Sequence, residues 1–154
     1  MKLGLISDTH DHLDPRVAKL FKGVSHILHA GDIGMPALLL ELELIAPVTA
    51  VAGNTDDPAL GYPLTRLVKL ADHKFLIHHI VDPHDLHDDL KSLIAKDRPD
   101  VVLFGHTHKP FFERINGILF SNPGYAGKQR FSQPRTIALL HCGGKELRHE
   151  FIPL

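Results

Sequence analysis

Short apolar runs alternate with amphipathic segments through the first half of the chain, and each change of period predicts a change of element. Lys2 to Ser7 reads as a first strand, and Asp14-Pro15 then supplies an N-cap and a first-turn proline for a helix carrying Val17, Ala18, Leu20 and Phe21. Ser25 to Ala30 predicts the second strand. Met35 to Ile45 predicts a Leu-rich helix ended by Pro47, and Val48 to Ala52 the third strand. Strands alternating with helices imply right-handed parallel crossovers, and such sheets hold ligands beyond the carboxyl ends of their strands.

The second half reads as more antiparallel. Positions 57 to 63 are loop-like, and Arg66 to Leu70 and Lys74 to Ile77 resemble a hairpin whose second strand ends in His78-His79. Asp82-Pro83 predicts the start of a helix with Leu86, Leu90, Leu93 and Ile94 at helical spacing, closing before Pro99. Asp100 to Phe104 is the next strand and runs into Gly105-His106-Thr107-His108. Gly117 to Ser121 is another, ending in the tight-turn sequence Asn122-Pro123-Gly124. Arg135 to Cys142 and Glu146 to Ile152 predict a terminal hairpin. No linker, low-complexity segment or charge block divides the chain, so residues 1–154 are expected to form one domain.

Composition narrows the function classes. A chain of 154 residues is long enough to bury a core without staples, and its one cysteine, Cys142, lies in an apolar run where a buried thiol is expected. A formal charge of -1 and a pI near 6.9 give no global attraction for nucleic acid or an anionic membrane. The apolar stretch after Lys2 is too short for a signal peptide or a spanning helix, so a cytoplasmic protein is expected. Thirteen histidines with no Trp and two Tyr point to metal or acid-base chemistry if the histidines cluster in space.

The predicted strand ends deliver polar groups in register. Asp8 and His10 follow the first strand, Asp32 follows Gly31, Asn54 follows Gly53, His78 ends the hairpin, and His106 and His108 follow Gly105. Two carboxylates, an amide oxygen and four imidazoles form a mixed oxygen and nitrogen set that suits divalent Mn, Fe, Zn or Ni better than Ca or Mg alone. Seven donors exceed the need of one four-coordinate ion, whereas two ions sharing a carboxylate would use them all.

Asp8-Thr9-His10, Gly31-Asp32, Gly53-Asn54-Thr55-Asp56, His78, Gly105-His106-Thr107-His108 and Asn122-Pro123-Gly124, in this order over nearly the whole chain, resemble the calcineurin-like metallophosphoesterase superfamily and its small single-domain phosphodiesterase branch. The resemblance implies a mixed α/β (α+β) fold of two mixed β-sheets packed face to face with helices on both outer sides. It assigns Asp8, His10 and His108 to a first metal, Asn54, His78 and His106 to a second, and Asp32 to a bridge, and it puts Asp32, Asn54 and His78 at the catalytic centre. The implied activity is hydrolysis of a small phosphodiester by a metal-bridging hydroxide, with two divalent transition-metal ions, manganese first and Zn, Fe or Ni as alternatives. A phosphomonoesterase and a non-catalytic protein-binding scaffold on the same fold are the competing readings; a homo-oligomer is compatible with all three.

The chain departs from the family pattern at three places. Thr55 stands where many members place a histidine, which removes a general acid and favours good leaving groups or proton donation by another group. Asp56 beside it either orients a histidine such as His10 or caps a turn. His78-His79-Ile80 stands where the family commonly reads His-Gly-His; His78 is the expected ligand, and a one-residue slip would bring in His79 instead. Tyr125 replaces a serine, and with Lys128, Arg130 and Arg135 it is a candidate contact for substrate phosphate or a partner, or simply part of a solvated loop.

Overall fold

A computed structural model describes residues 1–144 and 146–154. Two five-stranded sheets carry the chain. The first has the order β10-β9-β1-β2-β3, with β1 at Lys2–Ile6, β2 at His26–His29, β3 at Val48–Ala50, β9 at Thr136–Gly143 and β10 at Glu146–Pro153. The second has the order β4-β5-β6-β8-β7, with β4 at Thr65–Leu70, β5 at His73–His78, β6 at Val101–Leu103, β7 at Phe111–Ile115 and β8 at Ile118–Asn122.

Each sheet has a parallel centre and antiparallel margins. β1 pairs in parallel with β2, and β2 with β3, while β9 and β10 add antiparallel strands at one side. In the second sheet β5, β6 and β8 are parallel, and β4 and β7 close the edges antiparallel. The central strands are apolar runs with no polar face because both of their faces are covered. Leu3, Leu5 and Leu28 from one sheet pack on Phe75, Ile77, Val101 and Leu103 from the other to form the inner core. Outside the first sheet, Ile6 and Ile27 meet Val17 and Phe21 of the α1 region and Leu38 and Leu42 of α2, where α1 spans Arg16–Leu20 and α2 Ala37–Glu43. Outside the second, Leu76, Val102 and Phe120 meet Leu90 and Ile94 of α3, Asp88–Asp97. The expected architecture of two mixed sheets between outer helices is therefore observed.

Three elements differ from expectation. The helix expected from Asp82 starts only at Asp88, because the Asp82 carboxylate accepts the amides of His84 (3.0 Å) and Asp85 (3.3 Å) and ties off a separate turn first. The loop at 57–63 contains a 3-10 turn, Pro58–Leu60, capped by Asp57 through the Ala59 amide at 2.9 Å. Strand β7 carries no alternating pattern: Phe112, Glu113 and Arg114 are all exposed on an edge, so its pairing with β8 and not a buried face holds it in the sheet. Among the described residues, no helix is long and apolar enough to cross a membrane.

Candidate metal centre

The parallel cores of both sheets end at one rim, and the residues that follow their strands meet there. Backbone bonds continue each sheet past its strand ends, and the last of those that follow joins the two sheets at that rim. The Asp8 amide donates to the Gly31 carbonyl, the Gly105 amide to the His79 carbonyl, and the His106 amide to both Asp8 oxygens at 3.2 and 3.3 Å. Asp8, His10, Asp32, His106 and His108 all have positive φ, between 43° and 67°. Such backbone costs an L-residue about 1–3 kcal/mol and persists only where surrounding structure fixes it; its concentration in candidate ligands marks a functional site.

The glycines of the motifs make room for the donors. A Cβ at Gly105 would stand 2.7 Å from Asp8 Oδ2, one at Gly31 would stand 2.6 Å from His79 Nδ1, and one at Gly53 would collide with the Asp32 carboxylate. Each motif thus pairs a bare backbone with the polar side chain of a neighbouring motif.

Asp8 is fully buried, and its Oδ1 lies 3.2 Å from His108 Nε2 and 4.0 Å from His79 Nε2. Asp32, also buried, lies between the two groups of histidines: its Oδ2 is 3.6 Å from His10 Nε2 and 3.4 Å from His79 Nε2. Asn54 Oδ1 is 3.2 Å from His79 Nε2 and 2.9 Å from His106 Nδ1. Two overlapping sets emerge with donor atoms within 4.8 Å of one another, Asp8-His10-His108 and Asp8-Asp32-His79.

The structure corrects one expected position: His79, and not His78, points into the cluster. Side chains alternate along a strand, and Phe75 and Ile77 face the inner core, so position 79 continues that face while 76 and 78 face the other way. His78 instead meets Thr65 Oγ1 through Nδ1 at 2.8 Å, and burial lowers its pKa. With His79 in the first histidine position of the His-Gly-His pattern, Ile80 stands at the glycine and Val81 at the second histidine.

The donors fit a cation. His79 Nδ1 lies 2.7 Å from the Ala30 carbonyl, which can only accept, so Nδ1 carries a hydrogen and Nε2 is the atom free to bind. That lone pair faces the Asp8 and Asp32 oxygens and the Asn54 carbonyl oxygen, an arrangement that needs a positive charge at its centre, either a proton or a metal ion. Burial alone would lower the His79 pKa, but the Asp32 hydrogen bond and the charge of Asp8 raise it; burial likewise works against ionised Asp32, yet bonds from His79 and the Thr55 amide hold its carboxyl below the usual range. Across the cluster, buried His10 Nε2 has no hydrogen-bond partner among the described residues.

Several neighbours shape the site without entering it. Asp56 accepts the amides of Ile33 (3.1 Å), Gly34 (2.9 Å) and Gly53 (2.7 Å), so it fixes the loops that carry Asp32 and Asn54 and does not orient His10. Tyr125 is fully buried, with its ring 4.7 Å from that of His108 and 6.0 Å from that of His10, and its hydroxyl donates to the Lys128 carbonyl at 3.0 Å. It backs the histidines, in place of the substrate contact considered from the sequence. Arg135 is likewise buried, paired with Asp14 at 3.0 Å, whereas Lys128 and Arg130 are exposed. Sequence reasoning passed over His29. This wholly buried imidazole accepts the Gly31 amide at Nδ1 (3.2 Å) and meets Thr9 Oγ1 at Nε2 (2.9 Å); its one visible signal is a histidine ending an apolar strand just before Gly31-Asp32.

The calcineurin-like phosphoesterase superfamily domain matches residues 1–145. The chain belongs to that superfamily. It is 35% identical over 159 residues to a "Probable metallophosphoesterase" of Methanothermobacter thermautotrophicus, a match covering 99% of this chain and 92% of the relative. A solved structure of an archaeal phosphodiesterase superposes with a TM-score of 0.78 at 29% identity, over 99% of this chain and 100% of the other. Zinc-complexed Vps29 of Entamoeba histolytica has the same fold, with a TM-score of 0.75, 22% identity and 99% coverage of both chains. A metal-dependent phosphoester hydrolase is the enzyme class that this superfamily membership supports.

Proposed function

We propose that the protein is a phosphodiesterase working with two divalent ions, one held by Asp8, His10 and His108, the other by Asn54, His79 and His106, with Asp32 shared between them. The observation that carries the reading is the 2.7 Å contact of His79 Nδ1 with the Ala30 carbonyl. The Nδ1–H is committed to Ala30, so the Nε2 lone pair converges with carboxylate and amide oxygens that cannot donate to it. The mixed donor set suits Mn first, with Zn, Fe or Ni as alternatives. When bound, such ions neutralise the charge of a phosphodiester and make water acidic enough to serve as the nucleophile near neutral pH.

The chain's own residues hold the rest of the chemistry. Ser7 donates to Asp8 Oδ2 at 2.6 Å and the Thr55 amide to Asp32 Oδ1 at 2.9 Å, which aims both carboxylates. Thr55 offers no acid at the position where many relatives have histidine, so esters with good leaving groups should turn over fastest. Exposed Lys128 and Arg130 favour a second reading, a phosphomonoesterase that uses them to grip an additional charge.

Metal analysis of the purified protein followed by kinetics on bis(p-nitrophenyl) phosphate, 2′,3′-cyclic nucleotides and p-nitrophenyl phosphate tests both. The expected result is metal-dependent hydrolysis with diesters ahead of the monoester; the reverse order supports the second reading. A folded, metal-loaded protein inactive on the whole panel would overturn both and leave a scaffold role on this fold.

A further inference from the structure

Beside the cluster, a groove of about 530 Å3 runs away from His106. Its walls include Ile80, Val81, Phe104 and Phe111, with Lys109 among the lining residues. Phe104 and Phe111 form an aromatic pair with centroids 5.8 Å apart. Ile80 is 42% exposed, a large apolar side chain open to solvent beside a cluster of charged and polar groups. Ile80 and Val81 occupy the positions of glycine and histidine in the His-Gly-His pattern, so this wall is apolar where that pattern is not.

We infer that the groove binds an aromatic ester arm of the phosphodiester, a planar aryl or nucleobase-bearing group attached to the phosphate held at the cluster. This rests on the phosphodiesterase reading and specifies its substrate. Three observations favour that occupant. His106 lines the groove while its Nδ1 lies 2.9 Å from Asn54 Oδ1, so the groove begins at the cluster and adjoins any phosphate held there. The volume accommodates a ring system and far exceeds what a methyl ester fills. The exposed Lys109 adds positive charge suited to an anionic ester. A phosphomonoester has no second arm to place there.

The test varies the arm and keeps the leaving group constant. Metal-reconstituted protein is assayed on phenyl p-nitrophenyl phosphate and methyl p-nitrophenyl phosphate, both releasing p-nitrophenolate. Burial of one aromatic ring predicts a kcat/KM ratio at least about tenfold in favour of the phenyl ester, residing mainly in KM. Phe111→Ala and, at an exposed position that leaves the core intact, Ile80→Ser should each lower the ratio several-fold. An independent reading uses 15N-labelled, zinc-loaded protein titrated with diphenyl phosphate or dimethyl phosphate. Diphenyl phosphate should shift the amides of Ile80, Val81 and Phe111, and dimethyl phosphate should not. Equal kcat/KM for the two esters, or shifts confined to residues outside the groove, would overturn the inference. Groove shifts without hydrolysis of any ester would uphold aromatic binding and count against the catalytic reading alone.

Discussion

The two halves of the candidate metal centre are closed in different ways. Around His10 and His108 the wall is the fully buried Tyr125 ring, 4.7 Å from His108 and held in place by its hydroxyl bond to Lys128. Around Asn54, His79 and His106 no tyrosine ring stands in front among the described residues. Asn54 and His106 are exposed, Ile80 projects beside them, and the groove opens there. Buried Asp8 and Asp32 join the halves from below. One half is therefore walled in and the other open to solvent, which on the proposed function is the side that admits a substrate, although both draw on the same residue types.

The largest expected effect comes from the group common to both halves. Asp32→Ala removes the carboxylate between His10 and His79, and should cost more than the about 10–100-fold typical of residues that only support a metal ligand. Metal content by elemental analysis and kcat/KM on bis(p-nitrophenyl) phosphate should fall together. Retention of both ions with activity intact would break the picture of a joined cluster. Next in size is the contrast between neighbours: His79→Gln should lower kcat/KM by at least about 100-fold, and His78→Gln, which alters only the bond to Thr65, should stay within a few-fold. The opposite ranking would return His78 to the site.

That contrast also defines what could be read in the sequence. The parallel strands, the outer helices and the convergence of Asp8, His10, Asp32, Asn54, His106 and His108 were legible, because each motif sits at the end of an apolar run and begins or follows a turn. The choice at 78 and 79 was not. Phe75, Leu76 and Ile77 are all buried, so the strand has no polar face to reveal which parity looks inward; only the packing of Leu76 toward α3 and of Ile77 toward the other sheet fixes it. Tyr125 and Arg135 were misplaced for a related reason. In a loop rich in glycine and charge, the pairing of Arg135 with Asp14, 121 residues away, is a long-range fact that local pattern does not carry.

The Asp14–Arg135 pair allows the closed half to be loosened without touching a donor. Arg135 holds Asp14 at 3.0 Å and donates to the Gly127 and Ala126 carbonyls, clamping the segment that carries Tyr125. The Arg16 guanidinium beside Asp14, helped by Arg135 and opposed by burial, holds its carboxyl well below its ordinary value of 3.8. Because the folded pKa is the lower one, the stabilisation is complete above pH 3.8 and is lost as the pH falls toward the folded value. Asp14→Asn leaves Arg135 buried without its charge partner and should cost about 3 kcal/mol at pH 7 by urea denaturation. The gap from wild type should narrow below pH 3.8. Metal affinity in the His10–His108 half should weaken more than in the other half; equal weakening would show that the clamp does not act through Tyr125.

The smallest effect belongs to His29, which lies beneath both halves. The Gly31 amide donates to its Nδ1, so Nε2 carries the hydrogen and donates to Thr9 Oγ1, whose own hydroxyl donates to the Ile33 carbonyl at 2.9 Å. One neutral imidazole thus fixes Thr9, between Asp8 and His10, and Gly31, ahead of Asp32. Burial pushes its pKa down to about 4 from 6.5. Between these values the unfolded chain binds the additional proton, so native stability falls as the pH drops from 6.5 to 4, by at most about 1.4 kcal/mol per pH unit from this group. His29→Gln supplies a similar acceptor and donor without titrating. Its urea-denaturation stability should therefore vary less between pH 6.5 and 4 than that of the wild type, with a residual slope from His149, which burial also lowers to about 4. An unchanged slope would mean that His29 is not the source of this pH dependence.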